Sequence, residues 1–133
     1  MAVSKLDGAG IQKLKTIEDA QATIQTLHGH VERMAIEVKN QRGTGVIPQQ
    51  IKRIASPLQG QLKGQFGAIA DLVSAMILAL GRGGNDQTRV RAMREYVGQI
   101  RQALEIAAYK VEEQHTTTDD APGGGAPADA PSR

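Results

Sequence analysis

Residues 17–38 read IEDAQATIQTLHGHVERMAIEV, and this stretch decides the fold class. Its apolar residues recur at alternating intervals of three and four, which is typical of one continuous stripe along an α-helix. A second stretch, residues 90–111, repeats this spacing. Two such seams predict two long helices that pack along their length. The seam positions are Ile17, Ala20, Ile24, Leu27, Val31, Met34 and Val38 in the first stretch, and Val90, Met93, Val97, Ile100, Leu104, Ala107 and Val111 in the second.

Breaks between the apolar patterns predict three helices. Two closely spaced glycines follow Arg42 and end the first helix. Pro48 suits the first turn of the second helix, where its missing N–H is not needed. Asn85 or Asp86 can cap the third helix by accepting hydrogen bonds from its first amides. The sequence therefore predicts an all-α, elongated up-down-up bundle of three long helices, without strands, over about 10–41, 48–80 and 86–114.

Pro57 lies inside the predicted second helix. A proline removes one backbone hydrogen bond and clashes with the preceding turn. We therefore expect a kink near Pro57, or a short helix over 48–55 followed by a main helix over 57–81.

The last part of the chain has a different composition. Residues 116–133 read TTTDDAPGGGAPADAPSR and lack large apolar side chains. Such a segment cannot bury enough surface to offset the entropy lost on ordering. The sequence predicts a helical bundle domain over 1–115 and a disordered tail over 116–133.

Composition excludes several classes of protein. The chain has 133 residues, and only 2% of them are aromatic, so sheets or channels that stack nucleic-acid bases on aromatic rings are disfavoured. Because the chain contains no cysteine, disulfides, thiolate metal sites and cysteine nucleophiles are excluded.

Charge is mildly positive and uneven. The whole chain carries a formal charge of +2, to which residues 1–115 contribute about +4 and the tail about −2. The first ten residues show no basic patch followed by an apolar run, so we expect no secretory signal and a cytoplasmic location.

The second half of the middle helix is apolar nearly all round. Residues 66–80 read FGAIADLVSAMILAL, in which only Gly67, Asp71 and Ser74 are not apolar. A helix of this kind must be buried nearly all round, and two neighbouring helices cover only part of it. We therefore expect another copy or another protein to cover the rest. A membrane span is disfavoured because the run is short and contains Asp71, and shallow docking on a membrane is a weaker alternative.

The middle helix also contains three glycines, Gly60, Gly64 and Gly67. Each costs about 1 kcal/mol relative to alanine in a helix interior. Close approach of a neighbouring helix would compensate, and local flexibility near Pro57 is the alternative. The predicted protein interface on this helix consists of Gly60, Gly64, Ala68, Leu72, Ala75, Met76 and Ala79.

Basic residues gather near both predicted turns. Lys39, Arg42, Lys52, Arg53 and Lys63 lie near the first turn, and Arg82, Arg89, Arg91 and Arg94 near the second. In an up-down-up bundle these turns lie at opposite ends, which weakens a continuous track for nucleic acid. The residues that could contact phosphates are Lys52, Arg53, Lys63, Arg89, Arg91 and Arg94.

Motifs for catalysis or metal binding are weak. His28 and His30 are too close in sequence to share one helix face, since helical chelation needs a spacing near four. Glu112 and His115 have the Glu-x-x-His spacing of di-metal bundles, which need that motif on two helices, but it occurs once. The glycine-rich residues 81–84 lack the Gly-Lys-Ser/Thr ending of a phosphate loop. We expect no catalytic, metal-binding or cofactor-binding residue.

These observations favour a non-enzymatic, self-associating helical protein, a structural or adaptor subunit of a larger assembly that acts through the middle helix. The alternative is a small helical subunit of a nucleoprotein complex that contacts phosphates through its lysine and arginine clusters.

Overall fold

The computed structural model of the protein describes residues 4–82 and 84–118. Within this part of the chain the structure is almost entirely helical, with one short strand at each end. The elements are β1 (Ser4–Leu6), α1 (Gly8–Lys39), α2 (Ile47–Lys63), α3 (Gly67–Gly81), α4 (Asp86–His115) and β2 (Thr116–Thr118).

The all-α class is confirmed, but residues 4–82 and 84–118 contain four helices where three were predicted. Of the two alternatives expected at Pro57, the division into two helices is wrong, because α2 continues through this proline. Pro57 is exposed, so the carbonyl that it leaves without an N–H partner can bond to water. The chain instead leaves the helical conformation at Phe66, which has φ −133° and ψ 60°.

The break reverses the chain, so that α2 and α3 form a hairpin. In this hairpin α2 packs against α1 and α3 packs against α4, while α1 and α4 pack against each other. At about 1.5 Å per residue, α1 is about 48 Å long and α2 only about 26 Å. The hairpin therefore covers about half of the α1–α4 pair.

Two regions follow from this difference in length. We call the covered region the four-helix half; it contains α2, α3, about residues 23–39 of α1 and about residues 86–100 of α4. We call the rest of α1 and α4, where only two helices pair, the stalk. The pairing of α1 with α4 is antiparallel, because Glu32 bonds to Arg94 while the earlier Gln25 bonds to the later Arg101.

The heptad seams form the core. Every seam residue is buried except Val38 and Ala107, which are half-buried. The hairpin adds a second layer, and its buried residues are Ile47, Ile51, Ala55, Leu58 and Leu62 in α2 and Ile69, Ala70, Val73, Met76 and Leu80 in α3.

A pair of short strands closes the free end of the stalk. β1 and β2 are antiparallel, with Ser4 opposite Thr118 and Leu6 opposite Thr116. Residues 116–118, which the sequence assigned to the tail, form β2. Residues 119–133 of the predicted tail lie outside the described residues.

The end of α1 has a defined cap. The Arg42 N–H donates to the Glu37 carbonyl and the Gln41 N–H to the Val38 carbonyl. This is the Schellman arrangement, which needs a left-handed residue that is usually glycine. Here Gln41 takes that conformation, with φ 59°.

Candidate functional site

The two interhelical turns, residues 40–46 and 82–85, lie at the same end of the molecule. They do so because α2 and α3 form a hairpin, which returns the chain to the end where α1 stops and α4 starts. The prediction that the two basic clusters lie at opposite ends is therefore wrong.

This end concentrates positive charge. We define the basic end as residues 31–56, 82 and 84–95, which include nine lysines or arginines and four acidic residues. The other described residues include six basic and seven acidic side chains. One end of the molecule is thus at about +5 while the rest is close to neutral, a separation that produces a directional field.

A groove of about 600 Å³ runs between α1 and α4 at the basic end. Its apolar side chains include Ile36, which is 53% exposed although it is a large aliphatic residue. We call this feature the basic groove; it is lined by Glu32, Ala35, Ile36, Val38, Lys39, Gln87, Val90, Arg91 and Arg94.

An ion pair spans the basic groove from α4 to α1. Arg94 donates from Nε to Glu32 Oε2 at 2.9 Å and from Nη2 to Glu32 Oε1 at 2.7 Å. The hydrogen bonds from Arg94 hold the pKa of Glu32 below its ordinary value of 4.5. The same contact raises the pKa of Arg94. Both charges are satisfied within the chain, so this pair adds no net charge to the groove.

Lys39 and Arg91 are the uncommitted cations of the basic groove. Both are exposed, and neither forms an ion pair or hydrogen bond with a described residue. Register places them close together along the groove: the Glu32–Arg94 pair puts Arg91 level with Ala35, and Lys39 lies about one turn further along α1. The groove therefore combines an apolar floor with two free positive charges.

The residues predicted to contact phosphates do not form one surface. Lys52 and Arg53 are exposed at the basic end, whereas Lys63 lies at the opposite end of α2. Arg89 bonds to Asp86 at 3.0 Å and to the Arg82 carbonyl at 3.3 Å. With Arg94 held by Glu32, two of the six predicted residues are already engaged by the protein itself.

The residues predicted to form a protein interface are also divided. Met76 is fully buried in the core, so it is not available to a partner. Gly60, Gly64 and Ala68 are exposed, and Leu72, Ala75 and Ala79 are half-buried.

Its two neighbours bury α3 only in part, since five of its residues are buried and Ile77, like Leu72, Ala75 and Ala79, is half-buried. Leu78 is its only large apolar residue that is strongly exposed, at 65%. A Cβ added at Gly60, Gly64 or Gly67 would meet no described atom within 4 Å. Close helix approach within the chain therefore does not explain these glycines. Instead, Gly64 and Gly67 flank the break between α2 and α3.

The closed end of the stalk is polar. Asp7 caps α1 by accepting from the Gly10 N–H at 2.7 Å, and its own N–H donates to the His115 carbonyl at 3.0 Å. Asp7 Oδ1 also lies 3.2 Å from His115 Nδ1, while Lys13 Nζ lies 3.1 Å from His115 Nε2. The hydrogen bond from Gly10 and the contact with His115 lower the pKa of Asp7.

His115 thus has a structural role, because its contacts join the end of α4 to the start of α1. Among residues 4–82 and 84–118, no group of three or more His, Asp or Glu side chains could hold a metal ion. None of the helices in this part of the chain is long and apolar enough to cross a membrane.

Sequence reasoning missed the basic groove. Ile36 was visible as an apolar residue outside the seam, and Lys39 lies three positions after it. Their proximity to Arg91 depends on the hairpin of α2 and α3, which the sequence did not reveal. No protein-family model, curated protein or solved structure matches the chain.

Proposed function

We propose that the chain is a non-enzymatic, self-associating helical subunit of a protein assembly. The observation that carries this proposal is that large apolar side chains are exposed both at the basic end, beside positive charge, and on the stalk, beside glutamates. The basic end presents Ile36 beside uncommitted positive charge, and the stalk presents Ile106 and Tyr109, which are 49% and 64% exposed. Adjoining exposed apolar side chains with a polar rim are typical of protein-binding surfaces, and Ile106 and Tyr109 are neighbours on one helix face.

The charges support contact between copies of the chain. Residues 96–118, which include the α4 part of the stalk, carry two basic and three acidic side chains, whereas the basic end is at about +5. Opposite charge on two surfaces accelerates encounter and selects their orientation. Such a protein acts by binding and positioning, without chemistry of its own.

The test is the native mass of the purified full chain by sedimentation velocity, across a dilution series at 50 mM and 500 mM salt. We expect the weight-average mass to rise with protein concentration and to fall at 500 mM salt, because screening weakens contacts between exposed charges. A mass that stays at one chain at every concentration and in both buffers would contradict the proposal.

A nucleoprotein subunit is the second candidate. It is favoured by one observation, that the basic residues of both turns share one end of the molecule. Against it, Arg89 and Arg94 are engaged by Asp86 and Glu32. A titration of a fluorescent 20-base-pair duplex distinguishes the two candidates. Tight binding that weakens steeply with salt would favour the nucleoprotein candidate.

A further inference from the structure

We propose that the basic groove of one copy receives the exposed face of the α4 stalk from a second copy. This inference rests on the self-association proposed above and names its two surfaces. The stalk face is defined by Gln102, Ile106, Tyr109 and Glu113, with Glu105 on its flank. The spacing of the first four, at intervals of four, three and four, places them on one side of the helix.

Apolar contact is the first reason for this assignment. Ile36 in the groove and Ile106 and Tyr109 on the stalk are three of the large apolar side chains that the chain leaves exposed. Inserting the stalk face into the groove would bury all three, and burial of apolar surface is the main driving force of association. A DNA or RNA backbone would leave Ile36 without an apolar partner.

Charge is the second reason. Glu105 and Glu113 are exposed and form no ion pair with a described residue, and Lys39 and Arg91 are likewise uncommitted. Lys110 lies beside the stalk face and partly offsets its negative charge. The two glutamates still provide one carboxylate for each free cation of the groove.

Dimensions agree with this pairing. The groove is lined by residues 32–39 of α1 and 87–94 of α4, which is about two helical turns. The stretch from Ile106 to Glu113 is also about two turns long. One helix segment of a second copy therefore matches the groove in length, in the manner of a helix that binds in a groove between two others.

The geometry of the contact is head to tail, because the groove and the stalk face are different surfaces of the same chain. A pair of chains joined in this way still has one empty groove and one free stalk face. Further copies can therefore add, unless the rotation between copies closes a ring. We therefore expect mass to increase gradually with concentration, beyond two chains, and the contact to be weak because it is small.

A charge-swap experiment tests the inference. The groove variant carries Lys39→Glu and Arg91→Glu, and the stalk variant carries Glu105→Lys and Glu113→Lys. Each variant alone places like charges at the contact, so we expect self-association to weaken by about tenfold in sedimentation velocity at 50 mM salt. In an equimolar mixture, each contact between the two variants pairs opposite charges, so we expect association to return to within about twofold of that of the unmodified chain.

The matched control carries Lys52→Glu and Arg53→Glu, which change the charge of the basic end equally but lie on α2, outside the groove. We expect this control to weaken association less than threefold. A further variant, Ile36→Ser, removes the apolar contact, and we expect it to weaken association also at 500 mM salt. Circular dichroism of each variant verifies that the helices are retained.

Outcomes separate this inference from the proposed function. If the unmodified chain associates but the mixture of the two variants does not, or the α2 control loses as much as the groove variant, then the chain self-associates through another surface and the inference is overturned. If the unmodified chain is monomeric throughout, both fail.

Discussion

The four-helix half and the stalk share the α1 and α4 seams but surround them differently. In the four-helix half, α2 and α3 cover one side of these seams, and Met34 and Met93 are fully buried. In the stalk, Ile17 is as completely buried, yet Ile11, Ile106 and Tyr109 remain about half exposed or more. Two helices are enough to bury a seam, and large apolar residues beside it stay exposed in both regions, since Ile36 and Leu78 in the four-helix half are as exposed as those of the stalk. The regions differ in their cores, because α2 and α3 add a second buried layer to the four-helix half alone. We therefore expect the four-helix half to supply most of the stability.

The largest expected effect is the loss of stability when a cavity is made in the core of each region. Met34→Ala should lower the free energy of unfolding by about 3 kcal/mol, since a cavity in a rigid core is not refilled. Ile17→Ala should cost less, about 2 kcal/mol, because a two-helix site can collapse or admit water. Chemical denaturation measures both values.

Hydrogen exchange of the same two variants measures how easily each region opens. Ile17→Ala should increase exchange mainly in the stalk, because stability is not uniform within a fold and the less enclosed region opens first. Equal cost for both variants, with exchange raised throughout the chain, would show that the two regions unfold as one unit.

The sequence predicted the seams better than the topology. The α1 and α4 seams were identified residue by residue, and their burial confirms them. The break between α2 and α3 was missed because the apolar spacing continues through it, from Leu58 and Leu62 to Phe66 and Ile69. One straight helix and a hairpin bury such a stripe equally well, so periodicity cannot distinguish them.

The expected division at Pro57 is absent for a related reason. The cost of a proline in a helix interior, about 3 kcal/mol, is an intrinsic preference that tertiary packing can offset. Ile51, Leu58 and Leu62 are buried on both sides of it, which holds α2 together. The misplaced break carried over to the site, since only the hairpin brings the two basic turns to one end.

A second prediction compares one glycine from each region. Gly10→Ala in the stalk should destabilise the chain by about 1 kcal/mol, because the new Cβ would lie 2.6 Å from His115 Cβ and the helices must shift. Gly60→Ala in α2 should stabilise it by about 1 kcal/mol, because its Cβ would meet open space and alanine is the better helix former. Thermal unfolding measures both.

The native mass of the Gly60→Ala variant tests whether this glycine takes part in self-association. We expect Gly60→Ala to leave the mass of the chain unchanged at matched concentration, because the proposed contact lies at the basic groove. A fall in mass would instead place the contact at the surface that the sequence predicted, which includes Gly60 and Gly64.

The smallest expected effect concerns the ion pair of the basic groove. Its side chains are 37% exposed for Glu32 and 53% for Arg94, so Glu32→Gln should cost only about 0.5 kcal/mol at pH 7. The pKa of Glu32 is lowered in the folded chain, because Arg94 bonds to its charged form. The pair's contribution to stability is therefore fully present above pH 4.5, the ordinary pKa of a glutamate, and is lost as pH falls through the lowered pKa.

Urea unfolding at pH 7 and pH 3 measures this contribution as the difference in unfolding free energy between the unmodified chain and Glu32→Gln. We expect that difference to shrink at pH 3. Glu95→Gln is the control, since Glu95 forms no ion pair with a described residue, and it should cost less than Glu32→Gln at pH 7. An unchanged difference at pH 3 would mean that Glu32 acts through packing rather than through its charge.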